Sequence, residues 1–193
     1  MPQKSNLYFI PWRGSNYEMN NEKLLLLGES HYDKLDNVSE NFTIDIVNEF
    51  LDWAKYKYFT NTGLLFNKVD SREIWNNISF SNVIQTAFPD GKTQPTQADI
   101  STIPRNFDSL LNILKPTKVI VLSKRLWEWL PEKNGTQIDS IKAGKRHSTL
   151  WKYNYENGAC LSIGTCHPSW MFGKNGTIDE WSLLVKKFIA YSK

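Results

Sequence analysis

Cysteine is scarce in this chain: Cys160 and Cys166 are the only two, and they do not form a C-x-x-C pair. That excludes a disulfide framework and fits a reducing, cytoplasmic setting. Cys166 adjoins His167, but two thiols and one imidazole make a poor zinc set, so no metal and no other cofactor is expected. Neither G-x-G-x-x-G nor G-x-x-x-x-G-K-[ST] occurs, which weakens a nucleotide-binding or nucleotide-hydrolysing reading. No signal peptide and no apolar run of membrane length is found, so no membrane association is expected and the five Asn-x-Ser/Thr sequons carry no meaning. Repeats, low-complexity tracts and internal linkers are missing as well.

Aromatic residues, in contrast, are abundant. Eight Trp, eight Tyr and ten Phe make 13% of 193 residues, within an apolar fraction of 40%. That suffices for one ordinary domain with a sizeable core and argues against disorder. Core filling accounts for most of these rings, and the surplus can face a ligand or stack on bases. The net charge of +3 hides an asymmetry: residues 18–52 hold nine acidic side chains against Lys23 and Lys34, whereas residues 53–193 hold 19 basic and 11 acidic ones. A basic surplus over most of the chain is consistent with a nucleic-acid backbone as partner, although solvated lysines alone would also produce it.

The most informative stretch is KLLLLGESHY, residues 23–32. Four leucines end at Gly28 and are followed by Glu29, Ser30, His31 and Tyr32. A short apolar run ended by Gly reads as a buried strand of a parallel sheet, and open α/β sheets bind ligands at the carboxyl ends of their strands. GTCHPS, residues 164–169, likewise follows a strand-like run and delivers His167 to a strand end. Residues 1–22 read as an irregular arm packed on the domain, and strands are expected at about 23–28, 80–87, 118–122 and 159–165. Helices are expected from Thr43, at 70–78, at 105–114, around Leu126–Leu130, and after a capping box at Thr177 and Glu180. Residues 33–41, 60–69 and 131–158 read as loops or irregular chain, and 88–104 as a candidate functional loop. The alternation predicts a single domain over 1–193: a three-layer α/β/α sandwich around a mainly parallel four-stranded sheet.

Three motifs, in order and on the expected elements, resemble those of the uracil-DNA glycosylase superfamily. Gly28-Glu29-Ser30-His31-Tyr32 is similar to a first motif of the type G-Q-D-P-Y-H or G-E-x-P-G. Asn82 in FSNVIQ is similar to a base-reading Asn on strand two, and His167-Pro168-Ser169 to H-P-S after the last strand. LKPTKVIVLSKRLWEWL resembles the third strand and its helix, so the likeness runs over roughly residues 22–188. The first motif departs from the pattern: it lacks the Asp of one type and the Pro of both, and the four cysteines of the iron–sulfur branches are missing. The resemblance implies a monofunctional DNA glycosylase without a cluster, which flips a base out of DNA and hydrolyses its N-glycosidic bond; separately, no obligate protein partner is evident in the sequence and a monomer is expected. The substrate it implies is a uracil-like, damaged or modified pyrimidine, one version being a hypermodified cytosine of phage DNA removed in defence. The alternative is a catalytically silent DNA-binding or regulatory module on the same fold.

Such a reaction needs the base out of the stack, a donor for the departing base, and water held against a cation-like sugar. His167 is the candidate donor and Glu29 the candidate that orients water, with His31 and Asp33 as runners-up. Asn82 offers a donor and an acceptor to a pyrimidine edge, or else caps a strand end. Ser30, His31 and Tyr32 are expected at the substrate, Tyr32 near the pyrimidine C5 edge, and Phe66 is expected to stack on the base unless it is a core ring. The loop at Ser169, Met171, Phe172 and Lys174 is expected to wedge DNA, as its counterpart does in the resembled proteins, and Lys145 and Arg146 to contact phosphate. No lysine lies in the motifs, so water is the expected nucleophile and an intact abasic site the expected product.

Overall fold

In the computed structural model, residues 7–33, 38–66, 69–171 and 176–192 are described. The strands are Trp12–Arg13 (β1), Leu24–Gly28 (β2), His31–Tyr32 (β3), Ile78–Asn82 (β4), Ala87–Phe88 (β5), Lys118–Val121 (β6), Gly135–Ala143 (β7), Arg146–Tyr155 (β8) and Gly158–Gly164 (β9). The α-helices are Phe42–Asp52 (α1), Lys57–Leu64 (α2), Gln97–Ser101 (α3), Ile103–Leu114 (α4), Lys124–Trp129 (α5) and Ile178–Ile189 (α6).

The all-buried leucine run of β2 is an interior strand of the main sheet, where both faces are covered. It pairs in parallel with β4 on one side and β6 on the other, and β9 continues the parallel set beyond β6. These are the four strands expected from the sequence. The sheet is nevertheless wider than four strands: its order is β1-β4-β2-β6-β9-β8-β7, with β1, β8 and β7 antiparallel to their neighbours. The stretch read as irregular, 131–158, is therefore mostly a long hairpin, turned at Gly144, whose φ of +58° suits the first position of a two-residue turn.

Alternate leucines of β2 face opposite cores. Leu24 and Leu26 join Phe80, Ile120 and Ile163 under α1, α2 and α6, through Val47, Phe50, Phe59, Trp181 and Leu184. Leu25 and Leu27 join Val119 and Val121 under α4 and α5, through Phe107, Leu110, Leu111 and Leu126. The fold is thus α/β with helices on both faces. The expected capping box at Thr177 and Glu180 starts α6, and both of its reciprocal bonds are formed.

Three segments differ from expectation. Residues 57–64 form α2 instead of the start of a loop; Gly63 sits in its last turn because the backbone of Ser71 crosses where a Cβ would stand. The long loop 88–104 contains α3, started by a capping box between Thr96 and Asp99. The second strand leaves the ladder at Asn82, although Val83 and Ile84 still donate to the carbonyls of Gly28 and Glu29 at 3.0 and 2.9 Å. The arm is tied down: β1 is the sheet's edge strand, and buried Tyr17 donates its hydroxyl to the Leu114 carbonyl at 3.0 Å. No helix among the described residues is long and apolar enough to cross a membrane.

Candidate functional site

The parallel strands end on a cleft of about 600 Å³, within the range usual for small-molecule sites. Each strand end contributes to its wall: Glu29 and Ser30 after β2, Asn82 from β4, Ser123 and Arg125 after β6, and His167 and Ser169 after β9. Glu29, Asn82 and His167, far apart in sequence, converge here because the four strands run the same way.

Gly28 makes the floor of the cleft possible. A Cβ there would overlap the side-chain oxygen of Asn82 and stand 2.9 Å from the Tyr58 hydroxyl, so only Gly lets both polar groups approach the strand end. The side-chain amide of buried Asn82 makes no hydrogen bond among the described residues, whereas the residue's main-chain carbonyl accepts from Gln85 Nε2 at 2.7 Å. The Ser30 and Tyr58 hydroxyl oxygens are likewise buried with no partner among the described residues. Leaving such groups unmet is costly, and here they form a polar lining able to pair with a ligand's hydrogen-bonding edge.

His167 caps a short 3₁₀ turn, Pro168–Trp170. Its Nδ1 accepts from the Ser169 N–H at 3.2 Å, so the proton of the neutral ring is assigned to Nε2, which is left as a donor. Burial, and secondarily the positive charge of Arg125, push its pKa down to about 4, so the ring is neutral at physiological pH. Tyr58 backs it at 5.1 Å between ring centroids, and Asn61 holds the loop through the Pro168 carbonyl at 2.8 Å. Glu29 is not a free carboxylate. Arg125 grips it in a fork, Nε to Oε2 at 3.1 Å and Nη2 to Oε1, and Ser123 Oγ lies 3.5 Å from Oε2.

Other residues expected at the site fall less simply. Tyr32 lines the cleft and is exposed. His31 lines it too, but its Nε2 is engaged with Thr43 Oγ1 at 2.8 Å and its ring is boxed edge-on by Phe9 and Phe42. It is better described as a wall than as a water-activating group. Burial pushes its pKa down to about 4. In the window between its ordinary value of 6.5 and about 4, the unfolded chain binds a proton that the native chain refuses, so native stability falls as pH falls through it. The expected loss is on the order of 2–3 kcal/mol for His31. Urea midpoints measured between pH 7 and 4 check this, and His31→Phe, which keeps the ring cluster, should reduce the dependence, with His167 retaining its own share.

Two expectations are corrected. Phe66 does not reach the cleft. It packs on the core and lines a small recess with Leu24, Ile78 and Lys118, at the opposite end of the strands. An eight-residue helix rises about 12 Å, which carries the chain from Tyr58 at one edge towards Phe66 at the other. Met171 is not an exposed wedge: it is 0% exposed and belongs to the core under α6, while the preceding turn puts Trp170 at the cleft rim, 66% exposed. Phe172 and Lys174 lie outside the described residues. Met171→Ala should therefore lower stability by about 2–5 kcal/mol in denaturant unfolding, whereas Trp170→Ala should leave stability nearly unchanged.

Lys145 stands exposed at the tip of the β7–β8 hairpin, beyond the end of β9 and hence on the same sheet edge as the cleft. Arg146 is more committed, 3.4 Å from Glu180 and 5.7 Å above the Trp181 ring. Sequence reasoning missed Arg125, Ser123 and Tyr58. Ser123 and Arg125 follow a strand end just as Glu29 and His167 do, and that signal was available. Compared with known proteins, the chain matches no family model and no curated protein.

Proposed function

We propose that the chain is a monofunctional DNA glycosylase that hydrolyses the N-glycosidic bond of a flipped-out, uracil-like, damaged or modified pyrimidine. The observation that carries the reading is His167: a neutral imidazole with Nδ1 occupied and Nε2–H left to donate, in a cleft shared with Asn82 and Glu29. Such a donor stabilises negative charge developing on a departing base. Asn82 offers the base edge a donor and an acceptor, and Glu29 faces the developing positive charge of the sugar. The aromatic walls, Tyr32, Tyr56, Tyr58 and Phe59, suit a planar ligand. A hypermodified cytosine of phage DNA is one substrate within this class.

The test is a panel of duplexes carrying different bases, phage-modified DNA included, incubated with the protein and assayed for abasic sites. Binding to the same duplexes should weaken with salt, and Lys145→Glu should weaken it further. One observation favours a second reading, a silent DNA-binding module: among the described residues the only carboxylate lining the cleft, Glu29, is already held by Arg125. Binding without abasic sites on any duplex selects that alternative.

A further inference from the structure

We propose that Arg125 is a positioning residue for Glu29, holding the carboxylate in the one orientation from which it can act in the cleft. The inference rests on the glycosylase reading above. Its basis is geometric. Among the described residues lining the cleft Arg125 is the only Lys or Arg, and its guanidinium is fixed from three sides. Nε and Nη2 form the fork on the two oxygens of Glu29, Nη1 donates to Gln94 Oε1, and the Trp129 ring lies 5.1 Å from the guanidinium carbon. The Glu29 side chain is only 8% exposed and that of Arg125 is 40%, so the arginine reaches in from the rim to meet a carboxylate that has little water around it.

Ser123 sets the geometry at the base of this arrangement. Its Oγ caps α5 by accepting from the Leu126 N–H at 3.2 Å, which fixes where the first turn presents Arg125. A planar fork can hold both carboxylate oxygens and fix the plane of the group, which the single ammonium of a lysine cannot. The remaining lone pairs of the carboxylate are those available to a water or to the sugar. The arrangement thus turns the apparent objection to Glu29, that it is already paired, into a means of orienting it.

Arg125 also shares the cleft with His167. Among the described residues, the other titratable or charged groups lining the cleft are Glu29, His31, Tyr32, Tyr56 and Tyr58. The guanidinium opposes protonation of His167, so removing its charge should move the titration of that ring upward in pH.

The experiment compares Arg125→Ala, Arg125→Lys, Glu29→Gln and the Arg125→Ala/Glu29→Gln double variant under single-turnover conditions. DNA affinity and the His167 NMR titration are measured in parallel. Arg125→Ala should slow base release on the order of 10²-fold with affinity within a few-fold of wild type. In the Glu29→Gln background the same change should cost little, because the residue it orients no longer acts. Arg125→Lys, which also guards against a folding failure of the alanine variant, should remain slow while keeping the wild-type His167 titration. Wild-type rates in Arg125→Ala, or losses that multiply fully in the double variant, overturn the proposal. If the wild-type protein releases no base from any duplex, it is the glycosylase reading that fails. In that case a His167 titration unmoved in Arg125→Ala overturns the Arg125 arrangement as well, independently of substrate.

Discussion

Replacing His167 by alanine is expected to slow base release on the order of 10²–10³-fold, or about 3–4 kcal/mol, with DNA affinity nearly intact. The reason is the arrangement of the ring's two nitrogens. Nδ1 is spent on the Ser169 N–H, which leaves Nε2–H to donate, and depression of the pKa to about 4 keeps the ring in that neutral form. Below about pH 4 the ring protonates, Nδ1 turns from acceptor to donor, and the Ser169 bond that holds the loop is lost. Excision should therefore show an acid limb near that pH that disappears in the His167→Ala background. Single-turnover rates against pH measure both effects. The variant should fold, since Asn61, Pro168 and buried Met171 anchor the loop independently of the imidazole.

Glu29→Gln is expected to slow the same step on the order of 10²-fold or more, because it keeps the size and removes the charge that balances a cation-like sugar. It also leaves Arg125 without its ionic partner. That guanidinium is partly exposed and retains Gln94 and the Trp129 ring, so the cost in stability should be small. A loss of rate with an unchanged unfolding midpoint separates a chemical role from a structural one. Asn82→Ala should behave differently from both, lowering discrimination among bases together with rate.

The parts of the fold that were legible in the sequence are those written in short-range pattern. LLLLG and KVIVL announce buried parallel strands because both of their faces are apolar, and Thr177 with Glu180 announces a helix start because the capping box is local. The β7–β8 hairpin was not legible. In Gly135–Ala143 only Ile141 and Ala143 are buried, and half-buried Gly135 and Ile138 are separated by two exposed residues, so the strict period-two alternation that marks a strand is missing. The site divides along the same line. Glu29 and His167 stand directly after strand-like runs, whereas the partner of Glu29 is 96 residues away on α5, and no local spacing pairs them. Phe66 and Met171 were misplaced for a common reason. Each lies just past a short helical segment whose rise or turn decides which edge or face the next side chain meets, and that geometry depends on packing against distant residues.

The most direct measurement is product analysis on the duplex that the wild-type protein cuts best. Free base and abasic DNA are quantified together, with borohydride present in a parallel reaction. The expected result is one free base per abasic site, a backbone that breaks only after alkali, no covalent adduct trapped, and a sharply reduced yield with His167→Ala and with Glu29→Gln. No base released from any duplex, a trapped protein–DNA adduct, or wild-type yields from both variants would contradict the assignment.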